Sequence, residues 1–276
     1  MMNDFYLTAK LDIAESLRSR WLFVYTLVFG ALVVGLFVSG VTESRVMGFS
    51  GLSRLLVTYL QVTMAILPLF VLLTTVRSVA GDRESGAFEY LLSLPVGTAS
   101  WFWGRFAGRF LVVFVPVVAA MLGAVVWALL NSIEVPWLQV VLYTGFLMSL
   151  AACFLGIGML LSTLAWSSDV ATGAALLTWL VLLLFMDLIL LGMLISSGLD
   201  SETVVALALL NPLQVFRTAS MLLFDPQLVL LGSSAYVILD RFGEAGYVAW
   251  ALFYPLAVGA LAALAGFLLF RRGDIV

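Results

Sequence analysis

LQVVLYTGFLMSLAACFLGIGMLLSTLA, running from Leu138 to Ala165, contains no Asp, Glu, Lys or Arg. A helix needs roughly 20 mostly apolar residues to cross a hydrocarbon core about 30 Å thick at about 1.5 Å per residue. This run exceeds that length, which predicts a tilted span or one partly at the interface. Lipid offers no partners to backbone N–H and C=O groups, so such a run has to be helical. Five further stretches read the same way: residues 21–40, 55–76, 110–130, 170–195 and 247–270. Of these, only 170–195 holds a charge, Asp187. Pro68 and Pro116 lie inside spans, where neighbouring helices satisfy the backbone groups they free.

The composition agrees. The 276 residues are 63% hydrophobic and 11% charged, against roughly 45–50% and 25% in a soluble domain. A soluble fold of this length could not cover so much apolar surface. The sequence therefore predicts an all-α polytopic membrane protein with six transmembrane helices, organised as a single transmembrane domain over residues 1–276.

Cations set the orientation. With both termini cytoplasmic, Lys10, Arg18, Arg20, Arg77, Arg83, Arg105, Arg109, Arg271 and Arg272 lie inside, and Arg45, Arg54, Arg217 and Arg241 outside. The opposite arrangement inverts that bias. Residues 1–20 do not read as a cleavable signal, because Asp4 and Asp12 interrupt them. They read as an amphipathic interfacial helix: Asp4, Thr8, Asp12, Glu15 and Ser19 fall on one face and Tyr6, Ala9, Ile13, Ala14 and Leu17 on the other. Residues 196–246 are too apolar for a plain loop. Their uncharged runs, 203–216 and 226–239, are too short to span, and Asn211-Pro212 and Asp225-Pro226 are turn signals. Short extracytoplasmic helices are expected there, with Asn211, Pro212 and Arg217 as candidate residues of the outer segment.

Several functions are disfavoured. The formal net charge of -3 gives no basic surface for nucleic acid. The lone Cys153 cannot form an intramolecular disulfide, and the chain has no histidine to activate a nucleophile or ligate a metal. The only lysine, Lys10, follows no glycine-rich loop, so the chain has no P-loop of its own. We expect no catalytic residue, no bound cofactor and no metal site. The Ser167-Ser168-Asp169 group reads as the cap of the fifth helix. The ten methionines are more simply core filler than a copper path. Asp187, in the outer part of its span, reads equally as a group controlling that end of the bundle and as a hydrogen-bonded structural carboxylate.

The most informative loop joins the second and third spans: GDRESGAFEYLLSLP, from Gly81 to Pro95. Within residues 79–105, Phe88, Leu91 and Leu92 share a helical face, while Asp82, Glu84 and Glu89 flank it. Periodicity leaves two readings open: a helix that inserts into a groove on a soluble partner, or one that lies on lipid.

This run resembles the corresponding loop of type-2 ABC exporter permeases, an acidic glycine-containing stretch followed by a leucine-rich turn ending in Leu-Pro. That resemblance implies a cytoplasmic ABC ATPase, supplying ATP and Mg in its own chain, that grips Asp82, Arg83, Glu84, Gly86, Phe88, Glu89, Leu91 and Leu92. It also implies a bacterial inner-membrane location, an ATPase dimer and a second copy of this chain. Close helix approach is allowed by the small pairs Gly104/Gly108 and Ala119/Gly123. Within the family, FMDLILL around Asp187, LLNP at Asn211-Pro212, Phe216-Arg217 and the terminal Phe270-Arg271-Arg272 are similar to the permeases that serve maturation of the copper centre of nitrous-oxide reductase. That similarity implies a periplasmic repeat protein as a further partner. A generic exporter of an apolar or amphipathic substrate and a passive membrane anchor remain alternatives.

Overall fold

The computed structural model describes residues 2–18, 50–87, 97–130, 135–185, 201–224 and 233–272, together with Ser132, Leu188 and some positions between 23 and 35. The described residues are mostly helical, with no strand among them. In chain order the helices are α1 (Met2–Leu17), α2 (Ser50–Thr75), α3 (Arg77–Glu84), α4 (Thr98–Leu130), α5 (Trp137–Leu164), α6 (Ser168–Leu180), α7 (Ser201–Leu210), α8 (Pro212–Phe224) and α9 (Ser233–Arg272). Among the described residues, 4 helices are long and apolar enough to cross a membrane: Gln61–Glu84, Thr98–Leu130, Trp137–Leu164 and Phe242–Arg272. The shorter apolar helix Ser168–Leu184 covers the start of the fifth expected span, and most of the first, 21–40, lies outside the described residues.

α5 is the centre of the bundle, packing on α2, α4, α6, α8 and α9. Its buried residues point in every direction, with Tyr143, Phe146, Leu147, Leu150, Cys153 and Phe154 all essentially inaccessible. A helix that is apolar all round belongs in a core or a membrane span, and burial on all sides places this one at the centre. Its closest partner is α9. A Cβ added at Gly156 would lie 2.0 Å from the Gly259 carbonyl oxygen, and one at Gly259 would lie 2.5 Å from that of Ala152. The two backbones touch because neither position has a side chain, the usual device where lipid gives helices no hydrophobic reason to associate. Ser149 adds a hydrogen bond from its hydroxyl to the Leu252 carbonyl, 2.6 Å.

α2 and α3 run almost in line, since Val76 between them keeps helical angles and its N–H still reaches the Leu72 carbonyl at 2.9 Å. α3 ends at Gly86, whose φ of 72° is the left-handed conformation that closes helices and favours glycine. α4 begins at Thr98, well before the expected start at residue 110, so residues 98–105 of the anticipated loop are already helix. Hydropathy places the start late because Arg105 and Arg109 interrupt the apolar run, whereas both guanidiniums are paired within the fold. At the other end of the bundle, α7 and α8 meet at Asn211-Pro212, and α9 breaks at Gly243 (φ 65°).

Candidate functional site

α1 lies along the first turns of α4, and glycines set its distance. A Cβ at Gly104 would lie 2.8 Å from the Phe5 carbonyl oxygen and 2.9 Å from Thr8 Cβ; one at Gly108 would lie 2.7 Å from the Ala9 carbonyl oxygen. Each glycine is followed by an arginine, and the four-residue spacing brings Arg105 and Arg109 to one helical face. The polar stripe of α1 therefore turns inward. Asp12, with a fully buried side chain, receives Arg109 in a two-pronged contact, Nη2 to Oδ1 at 2.7 Å and Nε to Oδ2 at 3.2 Å. Arg105 Nε stands 3.8 Å from Asp12 Oδ1. The outer side of α1 carries Phe5, Tyr6, Leu7, Leu11 and Leu17.

The same two arginines reach the α2–α3 joint. Arg109 donates to the Thr74 carbonyl and Arg105 to the Ser78 carbonyl. Arg105 Nη1 also meets Asp82 Oδ2 at 2.7 Å, Nη2 stands 4.0 Å from Glu15, and the guanidinium lies 4.8 Å over the Trp101 ring. One arginine thus joins α1, α3 and α4. A carboxylate buried without such partners would be costly, so the helices are held together by charges that none of them could bury alone.

α3 is also fixed to the turn between α5 and α6. Near its start Ser162 Oγ accepts from the backbone N–H groups of Val79 at 2.9 Å and Ala80 at 3.1 Å. The Ser78 hydroxyl donates to Met159 Sδ at 3.3 Å. Arg83 Nη1 donates to the Ala165 carbonyl at 2.8 Å and the Thr163 carbonyl at 3.4 Å. Glu84 Oε2 accepts the Ser168 N–H at 2.9 Å. Ser167 caps α6 as expected, its hydroxyl accepting the Val170 N–H at 3.3 Å.

At the opposite end, Asn211 is buried between elements. Its Nδ2 donates to the Leu182 carbonyl at 2.8 Å, inside the π-helical turn Val181–Phe185 that continues α6, and its Oδ1 accepts the Leu213 N–H at 3.0 Å. A π turn widens the helix and leaves backbone groups needing such help. Pro212 is buried beside it, Arg217 is half-buried on α8, and the Tyr254 hydroxyl donates to the Leu210 carbonyl. Trp179 Nε1 donates to the Ala65 carbonyl at 3.0 Å, three residues before the Pro68 interruption of α2.

Of the residues singled out in the loop, Asp82, Arg83, Glu84 and Gly86 fall on or directly after α3. Phe88, Glu89, Leu91 and Leu92 lie outside the described residues, as does Asp187. Asp12, Arg105 and Arg109 were not among the expected site residues. Their signal was present as two Gly-Arg pairs four apart in WGRFAGR, facing a polar stripe that carries an aspartate. Among the described residues, no group of three or more His, Cys, Asp and Glu side chains could hold a metal ion.

Comparisons with known proteins bear on what this junction serves. Residues 6–275 match the family described as ABC-2 family transporter protein. The chain is 29% identical over 277 residues to a probable ABC transporter permease protein NosY of Pseudomonas aeruginosa, covering 97% of this chain and 98% of that protein. It is 28% identical over 231 residues to a probable ABC transporter permease protein NosY of Stutzerimonas stutzeri, covering 81% of this chain and 83% of that one.

Proposed function

The chain belongs to the ABC-2 family of transporter proteins, and from that premise we propose that it is the permease that turns ATP hydrolysis by a separate cytoplasmic ABC ATPase dimer into movement across the bacterial inner membrane. It acts as one domain over residues 1–276, with six spans, both termini cytoplasmic, α1 at the inner interface and α7 and α8 in the extracytoplasmic segment 196–246. Two copies form the membrane body. The ATPase binds ATP and Mg; this chain binds neither and performs no chemistry.

The observation that carries this reading is the Arg105 contact set. Asp82 lies on α3, and its ion pair with Arg105 at 2.7 Å joins α3 to α4, while Arg109 joins α4 to α1 through Asp12. A push that reaches Asp82 or Arg105 therefore meets a braced unit of α1, α3 and α4. Such bracing is what a two-state bundle driven from one end requires. A passive anchor has no need of it.

The similarity to permeases named NosY over nearly the whole chain favours a role in maturing the copper centre of nitrous-oxide reductase. On that reading the motion is delivered to a periplasmic repeat protein. The test is co-purification of the full chain with untagged partners, followed by ATP turnover of the complex. An ATPase and a periplasmic protein should come down together, and Leu91→Asp or Glu84→Lys should change the turnover of the complexes that assemble. Unchanged turnover with intact assembly supports the anchor instead.

A further inference from the structure

We propose that Arg83 and Glu84 are positioning residues that bolt the coupling segment to the turn between α5 and α6, so that a push on the loop reaches the fifth span as well as the third. This rests on the coupling reading given above and adds a route to it.

The two residues are adjacent and of opposite charge, and they straddle the turn. Arg83 meets the C-terminal end of α5, where the last carbonyls have no helical partner and carry partial negative charge; it takes those of Ala165 and Thr163 at 2.8 and 3.4 Å. Glu84 meets the start of α6, where free N–H groups carry partial positive charge; it takes that of Ser168 at 2.9 Å. Each charge thus faces the helix end of opposite sign. Beneath them, Ser162 holds the first turn of α3 through two backbone N–H groups. A Cβ at Gly81 would lie 3.6 Å from Ser168 Oγ, so α3 and the start of α6 lie in contact range.

From Ser168 the route continues along α6. Trp179 ties α6 to the Ala65 carbonyl of α2, and the Leu182 carbonyl receives Asn211 of the outer segment. From Ser168 to Leu182 is about 20 Å of helix at the usual rise. Displacing the start of α6 therefore carries the Asn211 contact with it. The two clamp residues need not touch the ATPase to matter; they decide whether the fifth helix follows the loop.

The test uses the complete permease–ATPase complex in lipid nanodiscs, with Leu210, 60% exposed on α7, replaced by an environment-sensitive fluorescent amino acid, in a Cys153→Ser background. In the parent, ATP changes the emission at this position. Compared at equal amounts of bound ATPase, the combination Arg83→Gln with Glu84→Gln loses at least about fivefold of that response, the low end of coupling between distant sites. Adding Gly81→Cys and Ser168→Cys and oxidising them restores it, because the disulfide replaces the clamp; a role of the two charges in contacting the ATPase would not be rescued this way. The inference is overturned alone if the parent responds and the glutamine variant responds equally, if the disulfide fails to restore the response, or if the disulfide in an otherwise unchanged chain abolishes it. A parent complex that binds its ATPase but gives no response at Leu210 removes this inference and keeps the coupling proposal open to the turnover test above. A chain that binds no ATPase removes both.

Discussion

Asp12 and Arg109 lie 97 residues apart in sequence and meet through two contacts, at 2.7 and 3.2 Å, with the carboxylate wholly buried. The pair fastens the N-terminal helix to α4. Asp12→Ala leaves two guanidiniums without their shared anion, and breaking a buried pair costs about 3–5 kcal/mol. Asp12→Leu together with Arg109→Met recovers part of that loss, since apolar replacement of a buried pair is often neutral. A double-mutant cycle on unfolding in mixed micelles measures the coupling; near-zero coupling contradicts the contact.

Gly104 and Gly108 set how closely α1 can approach. Gly108→Val places a side chain where the Ala9 carbonyl stands and costs about 1–3 kcal/mol through overpacking. α1 should then detach, which limited proteolysis after Arg18 or Lys10 reports as faster cleavage. Gly123→Val, on the same helix with open space around it, leaves the cleavage rate unchanged.

Gly156 and Gly259 make the closest helix contact of any glycine among the described residues. Gly156→Ala drives a methyl into a backbone carbonyl that cannot rotate away. The expected loss is about 1–3 kcal/mol or more, read as a lower melting temperature in detergent. Gly123→Ala should keep or raise that temperature, because alanine favours helix over glycine by about 1 kcal/mol. Equal melting of the two variants contradicts the α5–α9 packing.

Asn211 both caps α8 and fills the π turn of α6. Asn211→Asp keeps the acceptor for the Leu213 N–H but loses the donor to Leu182 and sets a carboxylate against a carbonyl. A buried group left unsatisfied costs about 1–3 kcal/mol. Hydrogen exchange should rise within Val181–Phe185 and remain low at the start of α8; a uniform rise in both would assign Asn211 a different role.

The all-helical membrane fold was legible because uncharged runs such as Leu138 to Ala165 have no other physical solution. The helix start at Thr98 was not, since hydropathy counts Arg105 and Arg109 as breaks and cannot see that Asp12 and Asp82 neutralise them. Periodicity marked a polar stripe on α1, but it does not say that Asp12 and Ala9 face protein while Glu15, Tyr6 and Leu11 face outward. Spacing marked Gly104/Gly108 as a place of close approach; the identity of the neighbour, α1, needed the fold. Gly156 and Gly259 gave no local signal, because their meaning depends on α5 and α9 being paired. Arg83 and Glu84 were singled out as residues for an ATPase to grip, a reading that carried no information about the helix ends they meet.

The central claim is that an ATPase engages this protein at the end where α1, α3 and α4 are braced together. Photo-crosslinking amino acids placed singly at Ser85 and at Leu130, both exposed and at opposite ends of the bundle, test it in native membranes. The account predicts a nucleotide-binding ABC subunit crosslinked from Ser85 and absent from Leu130. Crosslinks from Ser85 to lipid alone, or capture of the ATPase from Leu130, would contradict it.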